Sequence, residues 1–173
     1  ISIIGIIIVF FLLYFLQSNF FNWFTIAGIK PNLFVIFILL IGLFATKKMG
    51  LIFGFIFGII LDLIIGKNIG ITGIVLGFIG YLGECLDRNF SKESRITIML
   101  MVMASTIIYE VSNYVFSIIA NGTIIEIGAF VKTLFIESIY NTILVIILYP
   151  ILQKTGYYLE NAFKNKNILT RYF

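Results

Sequence analysis

Three apolar runs constrain this chain more than anything else in it: residues 3–16 (IIGIIIVFFLLYFL), 33–44 (LFVIFILLIGLF) and 51–65 (LIFGFIFGIILDLII). A strand of a membrane barrel alternates polar and apolar residues, and these runs do not. Apolar stretches of this kind are the mark of helices in lipid. Composition agrees. The chain of 173 residues is 61% hydrophobic and only 12% charged, with a mean hydropathy of +1.12. A water-soluble domain is about 45–50% apolar and about 25% charged, and a disordered one is poorer still in apolar residues. Both classes are excluded.

Six spans follow from the hydropathy: about 1–16, 31–46, 49–65, 70–86, 95–119 and 129–153. Pro31 opens the second, in keeping with a first helical turn. Pro150 falls near the end of the sixth. The fold class expected is an all-α integral membrane protein with six transmembrane helices. Residues 1–153 form the membrane domain and 154–173 a basic tail. Residues 1–16 have no basic stretch before them and no small-x-small site after them, so they read as a first span rather than a cleaved signal.

Basic residues set the orientation. An even number of spans puts both termini on one side. With them fall Lys47, Lys48, Arg88, Lys92, Arg95, Lys154, Lys164, Lys166 and Arg171; opposite fall Lys30, Lys67 and Lys132. The crowded side, with both termini, is expected to be cytoplasmic. The net charge of +4 is then the basic inner face of a membrane protein, attracted to anionic lipid, and calls for no nucleic acid. On the other side, residues 17–30 (QSNFFNWFTIAGIK) carry Phe20, Phe21, Trp23 and Phe24, side chains that favour the headgroup layer. The segment reads as an aromatic belt or as a docking surface.

Catalytic chemistry is poorly provided for. There is no histidine and a single cysteine, Cys85, which excludes an intrachain disulfide, two-cysteine metal or redox motifs, and histidine-activated nucleophiles. No catalytic, cofactor or metal site is expected. The stretch SKESR (91–95) reads as a capped helix start in a cytoplasmic loop.

Two sets of residues stand out instead. Gly50, Gly54 and Gly58 are spaced by four, and Gly73 and Gly77 belong to a similar series in the fourth span. Small residues at that spacing let helices approach closely in lipid. The stripe suits a contact between spans three and four, or a face for another protein's helix. The second set is polar: Asp62, Glu110 with Asn113, and Glu137 with Asn141, all inside spans. Ionisable groups at such depth are costly and face protein, water or a partner. Interhelical hydrogen bonding, a polar ligand cavity and contact with a partner are the open readings. No nucleophile, metal set or phosphate loop accompanies them.

One stretch carries a family likeness. The order is KPN (30–32), an apolar helix, the pair Lys47-Lys48, GLIFGFIFGIILDLIIG (50–66) ending past Asp62, a lysine–asparagine turn, and IGITGIVLGFIGYLG (69–83). This resembles the MreD family of the bacterial rod-shape system, with Asn32 where many members carry Asp. The resemblance implies a non-enzymatic membrane scaffold or regulatory subunit in the bacterial cytoplasmic membrane. It implies MreC as direct partner and, through it, RodA, a class B penicillin-binding protein and MreB, in support of lateral peptidoglycan synthesis. A second copy of the chain is a further candidate partner. The family also resembles in fold the S components of energy-coupling-factor vitamin transporters, which implies an S-component-like bundle. That likeness supplies the alternative function, a vitamin-binding subunit in which the intramembrane polar residues contact the ligand. The first span has only Gly5 and no small-x-x-x-small run for a coupling module, which argues against it.

Overall fold

The computed structural model describes residues 2–65, 70–89, 94–122 and 126–163. Six helices account for nearly all of them: α1 (Ser2–Ser18), α2 (Leu33–Phe44), α3 (Lys47–Ile65), α4 (Ile71–Asn89), α5 (Arg95–Asn121) and α6 (Ile127–Phe163). A 3-10 turn, Phe20–Asn22, follows α1. No strand occurs among the described residues, only an isolated bridge between Ile26 and Ile29. The six apolar stretches of the sequence are thus six helices.

Four helical stretches are long and apolar enough to cross a membrane: Ile3–Asn22, Lys48–Ile65, Arg95–Ala120 and Ile127–Phe163. Two apolar helices, Leu33–Phe44 and Ile71–Gly83, are shorter. Twelve residues of α2 reach about 18 Å, well under the roughly 30 Å of a hydrocarbon core. The short length fits its place. α2 touches each of the other five helices, and every residue from Leu33 to Phe44 except Phe37 is buried. A helix apolar all round belongs in the middle of a bundle. Its ends lie in protein, where irregular backbone is tolerated at membrane depth.

Around α2 the core is built from Phe10 of α1, Phe53 and Phe57 of α3, Leu76 and Ile79 of α4, Ile98 and Val102 of α5, and Val145 and Tyr149 of α6. Phe10 stacks on Phe57 with ring centroids 4.1 Å apart. The Arg95 guanidinium lies 5.0 Å from the Tyr149 ring centre and ties the start of α5 to α6. The outward faces are as apolar as the core. Ile4, Ile8, Phe11 and Phe15 follow one side of α1, and all are more than half exposed. Such a continuous apolar surface suits lipid, not water.

Helix ends refine the sequence reading. Asn32, not Pro31, begins α2: it is the N-cap, and its side-chain oxygen accepts from the Val35 N–H at 3.3 Å. Pro31 therefore precedes the cap. α5 stops at Gly122, whose left-handed backbone (φ 61°) lets its N–H reach the Ile118 carbonyl at 2.9 Å. Ser94 holds the N-cap position of α5 without a side-chain capping bond; Ser91, Lys92 and Glu93 lie outside the described residues, as do the Lys67–Asn68 turn and residues 164–173. α6 passes through Pro150 and continues to Phe163, so residues 154–163 prolong the sixth helix.

Candidate functional site

The glycines bring α3 and α4 into backbone contact. A Cβ placed on Gly54 would lie 2.6 Å from the Leu76 carbonyl carbon, and one on Gly58 would lie 2.5 Å from the Gly73 nitrogen. Gly50 faces the Gly80 carbonyl. Gly73 faces Phe55 and Ile59 of α3, and Gly77 faces Leu51 more loosely, at 3.3 Å. The sequence did not single out the extension of this seam to α2 and α6. Gly42 meets Gly80 and Gly83, and Gly156 lies against the Phe44 ring. Gly42 and Gly156 are isolated in sequence from the four-residue series, so spacing alone could not reveal them.

Asp62 is buried at the far end of the α3 stripe, and its role is set by α4. One carboxylate oxygen, Oδ2, accepts from the backbone N–H of Gly70 at 2.8 Å and of Thr72 at 3.1 Å. These are among the N–H groups that a helix start leaves without intrahelical partners. A negative group is also favoured at that end of a helix. Gly70 has φ +98°, a conformation that glycine adopts without cost, and it turns the chain so that both N–H groups converge on one oxygen. Asp62 is thus a cap donated from the preceding helix.

The other four polar residues gather where α2 begins. Asn141 of α6 is fully buried. Its Oδ1 accepts from the Asn32 N–H at 2.8 Å, and its Nδ2 donates to the Thr106 hydroxyl of α5 at 2.9 Å. Next to it the Leu33 N–H donates to Oε1 of Gln17, at the end of α1, at 2.9 Å. Two helices, α1 and α6, and the N-cap side chain therefore serve the free N–H groups of α2, and α5 holds Asn141 in place through Thr106. Glu137, one turn before Asn141, points its carboxyl toward the Glu110 carboxyl and the Asn32 side chain. The Tyr109 side chain meets those of Asn32 and Asn113. Asn113 also donates to the Tyr109 carbonyl within its own helix at 3.1 Å.

The structure therefore unites Glu110, Asn113, Glu137 and Asn141 and leaves Asp62 elsewhere. The i+4 companion of Glu137 turns to other helices: Asn141 bonds Asn32 and Thr106. Sequence reading missed Gln17, Thr106 and Tyr109. Asn32 entered the sequence reading as the residue after Pro31, not as a cap; Gln17 and Thr106 carried no signal, because their partners are on other helices.

Above this cluster the chain from Phe20 to Ile29 folds over the end of α1. The Ile26 and Ile29 backbones bond each other at 2.9 and 3.0 Å, with Ala27 and Gly28 both at positive φ in the turn. The Tyr140 hydroxyl donates to the Phe24 carbonyl at 2.6 Å. Trp23 is 89% exposed.

An apolar exterior, helices of membrane-crossing length and polar groups gathered inside define a multi-pass helical membrane protein. Its surface chemistry is that of lipid contact, and its interior polar groups largely satisfy one another. Within that class the chain belongs to the MreD family, described as rod shape-determining protein MreD, which matches residues 2–156. No curated protein and no solved structure matches it significantly. The family's role is the determination of rod shape.

Proposed function

We propose that the protein is a non-enzymatic scaffold or regulatory subunit of the bacterial rod-shape complex, embedded in the cytoplasmic membrane. It binds MreC and, through it, works with RodA, a class B penicillin-binding protein and MreB in lateral peptidoglycan synthesis. The observation that carries this reading is the family match across residues 2–156. The chemistry of the interior supports it: Asp62 and Asn141 are engaged in holding helix starts rather than in a reaction.

In this reading all six helices cross the membrane and both termini are cytoplasmic. The distribution of lysine and arginine supports that orientation. The buried, capped start of α2 supports a crossing by a helix too short to span lipid alone. Residues 154–173 form a basic cytoplasmic tail. The glycine seam of Gly50, Gly54, Gly58, Gly73 and Gly77 is taken up by the contact of α3 with α4, and the partner helix packs on the exposed apolar faces of the bundle.

The test is in-cell cross-linking of a tagged copy, followed by detergent extraction and identification of attached proteins. Recovery of a bitopic MreC and of elongation synthases is expected. Recovery of an ATPase pair with its membrane coupling subunit would overturn the scaffold reading in favour of a vitamin-binding S component.

A further inference from the structure

Every residue of α2 from Leu33 to Phe44 is buried except Phe37. Phe37 lies on the floor of a groove between α1 and α6. α1 packs on α2 and, through the stacked Phe10 and Phe57 rings, on α3, which leaves a gap on its α6 side. The gap has a volume of about 450 Å³, and its lining is almost entirely hydrocarbon. Phe37 and Leu40 form the floor, Gly5 and Val9 one wall, and Leu152 and Tyr158 the other. Thr155, also in that wall, spends its hydroxyl on its own helix, donating to the Ile151 carbonyl at 2.9 Å. Gly5 keeps its wall open, because a Cβ there would have no neighbour within 4 Å.

Shape selects the occupant. The groove follows α6 from Leu148 to Leu159, roughly 16 Å at 1.5 Å per residue. Its volume over that length gives a mean width of about 6 Å. A helix with its side chains is about 10–12 Å across. The groove therefore admits an extended hydrocarbon chain and not a partner helix. Charge selects further. Lys154 is exposed on α6, three residues after Ile151 and four before Tyr158, both of which line the groove, so it stands at the groove's edge. A lysine near the end of a membrane helix reaches for the headgroup layer and attracts anionic lipid there. Tyr158 is more than half exposed and favours the same layer. Among the described residues that line the groove, none is acidic.

We propose that the α1–α6 groove holds one acyl chain of an anionic phospholipid, with the phosphate at Lys154 and Tyr158 and the chain lying over Phe37. The site goes beyond the scaffold reading and is tested on the isolated protein, so its failure leaves that reading untouched.

The full chain is placed in phosphatidylcholine nanodiscs with increasing amounts of a phosphatidylglycerol that carries a diazirine in the middle of one acyl chain. After illumination, the labelled residues are mapped by mass spectrometry. Labelling at Phe37 should saturate, and unlabelled phosphatidylglycerol should displace it where phosphatidylcholine does not. Ile8 and Ile147, exposed outside the groove, report bulk lipid and should label in proportion to the probe. Lys154→Gln should weaken the saturable labelling about fivefold, the worth of one basic residue near an anionic surface. Gly5→Leu fills the groove from a position without neighbours and should abolish it while the melting temperature holds. Labelling of Phe37 that rises in proportion to the probe, as at Ile8, overturns the proposal, and so does displacement by phosphatidylcholine equal to that by phosphatidylglycerol. In cells, p-benzoylphenylalanine in place of Phe37 should give a lipid adduct. A cross-link to another protein, or to a second copy of the chain, overturns the proposal as well.

Discussion

The side-chain oxygen of Asn141 holds the backbone N–H of Asn32 at 2.8 Å, across 109 positions of sequence. This bond joins the middle of the longest described helix to the N-cap of the most buried one. It turns the N-terminus of α2, which in lipid would be a row of exposed donors, into an internal junction.

Asn141→Leu should therefore destabilise the bundle through α2. The substitution leaves the Asn32 N–H without its acceptor, while the Thr106 hydroxyl keeps its bond to the Val102 carbonyl, and an orphaned buried polar group costs about 1–3 kcal/mol. Thr106→Val removes only one of the two bonds and should cost less, about 0.5–2 kcal/mol. Thermal unfolding in detergent, followed by fluorescence-detected size exclusion, gives the order wild type, Thr106→Val, Asn141→Leu.

The glycine seam makes a graded prediction. A Cβ on Gly58 meets backbone atoms of Gly73, which cannot step aside, whereas one on Gly77 is 3.3 Å from its nearest neighbour. Gly58→Ala should sharply reduce the monodisperse fraction recovered from membranes, and Gly77→Ala should leave most of it. Gly54→Leu and Gly58→Leu should abolish folded protein and with it any complex. Equal recovery of the two alanine variants would contradict the close approach of α3 and α4.

Asp62 caps α4 through a single oxygen, so the shape of the acceptor matters more than its charge. Asp62→Asn keeps an oxygen for the Gly70 and Thr72 N–H groups and should lose only the charge contribution, about 0.3–1 kcal/mol. Asp62→Ala removes the cap and should cost about 0.5–2 kcal/mol. Detergent melting of the two variants checks the order. If Asp62→Asn retains a normal melting temperature but no longer supports rod growth, Asp62 has a duty beyond capping.

Trp23 is the single tryptophan of the chain and is almost fully exposed. In the same segment Phe20 packs on Phe24, and Tyr140 tethers the Phe24 carbonyl. Tryptophan favours the headgroup layer. Its emission should be quenched more by lipids brominated near the glycerol backbone than by lipids brominated near the chain end. Tyr140→Phe should broaden that depth preference without altering the thermal midpoint by more than a few degrees.

The extent of the helices was legible in the sequence because lipid imposes it. A residue such as Ile8 or Leu40 has no polar environment to enter, so apolar runs become helices, and Gly122 marks the end of α5 by a backbone rule that operates over four residues. The glycine spacing likewise indicated that something comes very near α3. Local rules stop there. That α4 fills the seam, that Asp62 serves Gly70 and Thr72, and that Gly42 and Gly156 extend the close packing depend on which helices become neighbours. The same holds inside the bundle. Glu110, Asn113, Glu137 and Asn141 look alike in sequence, as polar residues in apolar helices. Tertiary structure gives Asn141 two partners at 2.8 and 2.9 Å and leaves a Glu137 oxygen with none. Hydropathy acts residue by residue and so can be read from a string. A hydrogen bond needs two groups in one place, and only the packed helices bring Asn32 and Asn141 there.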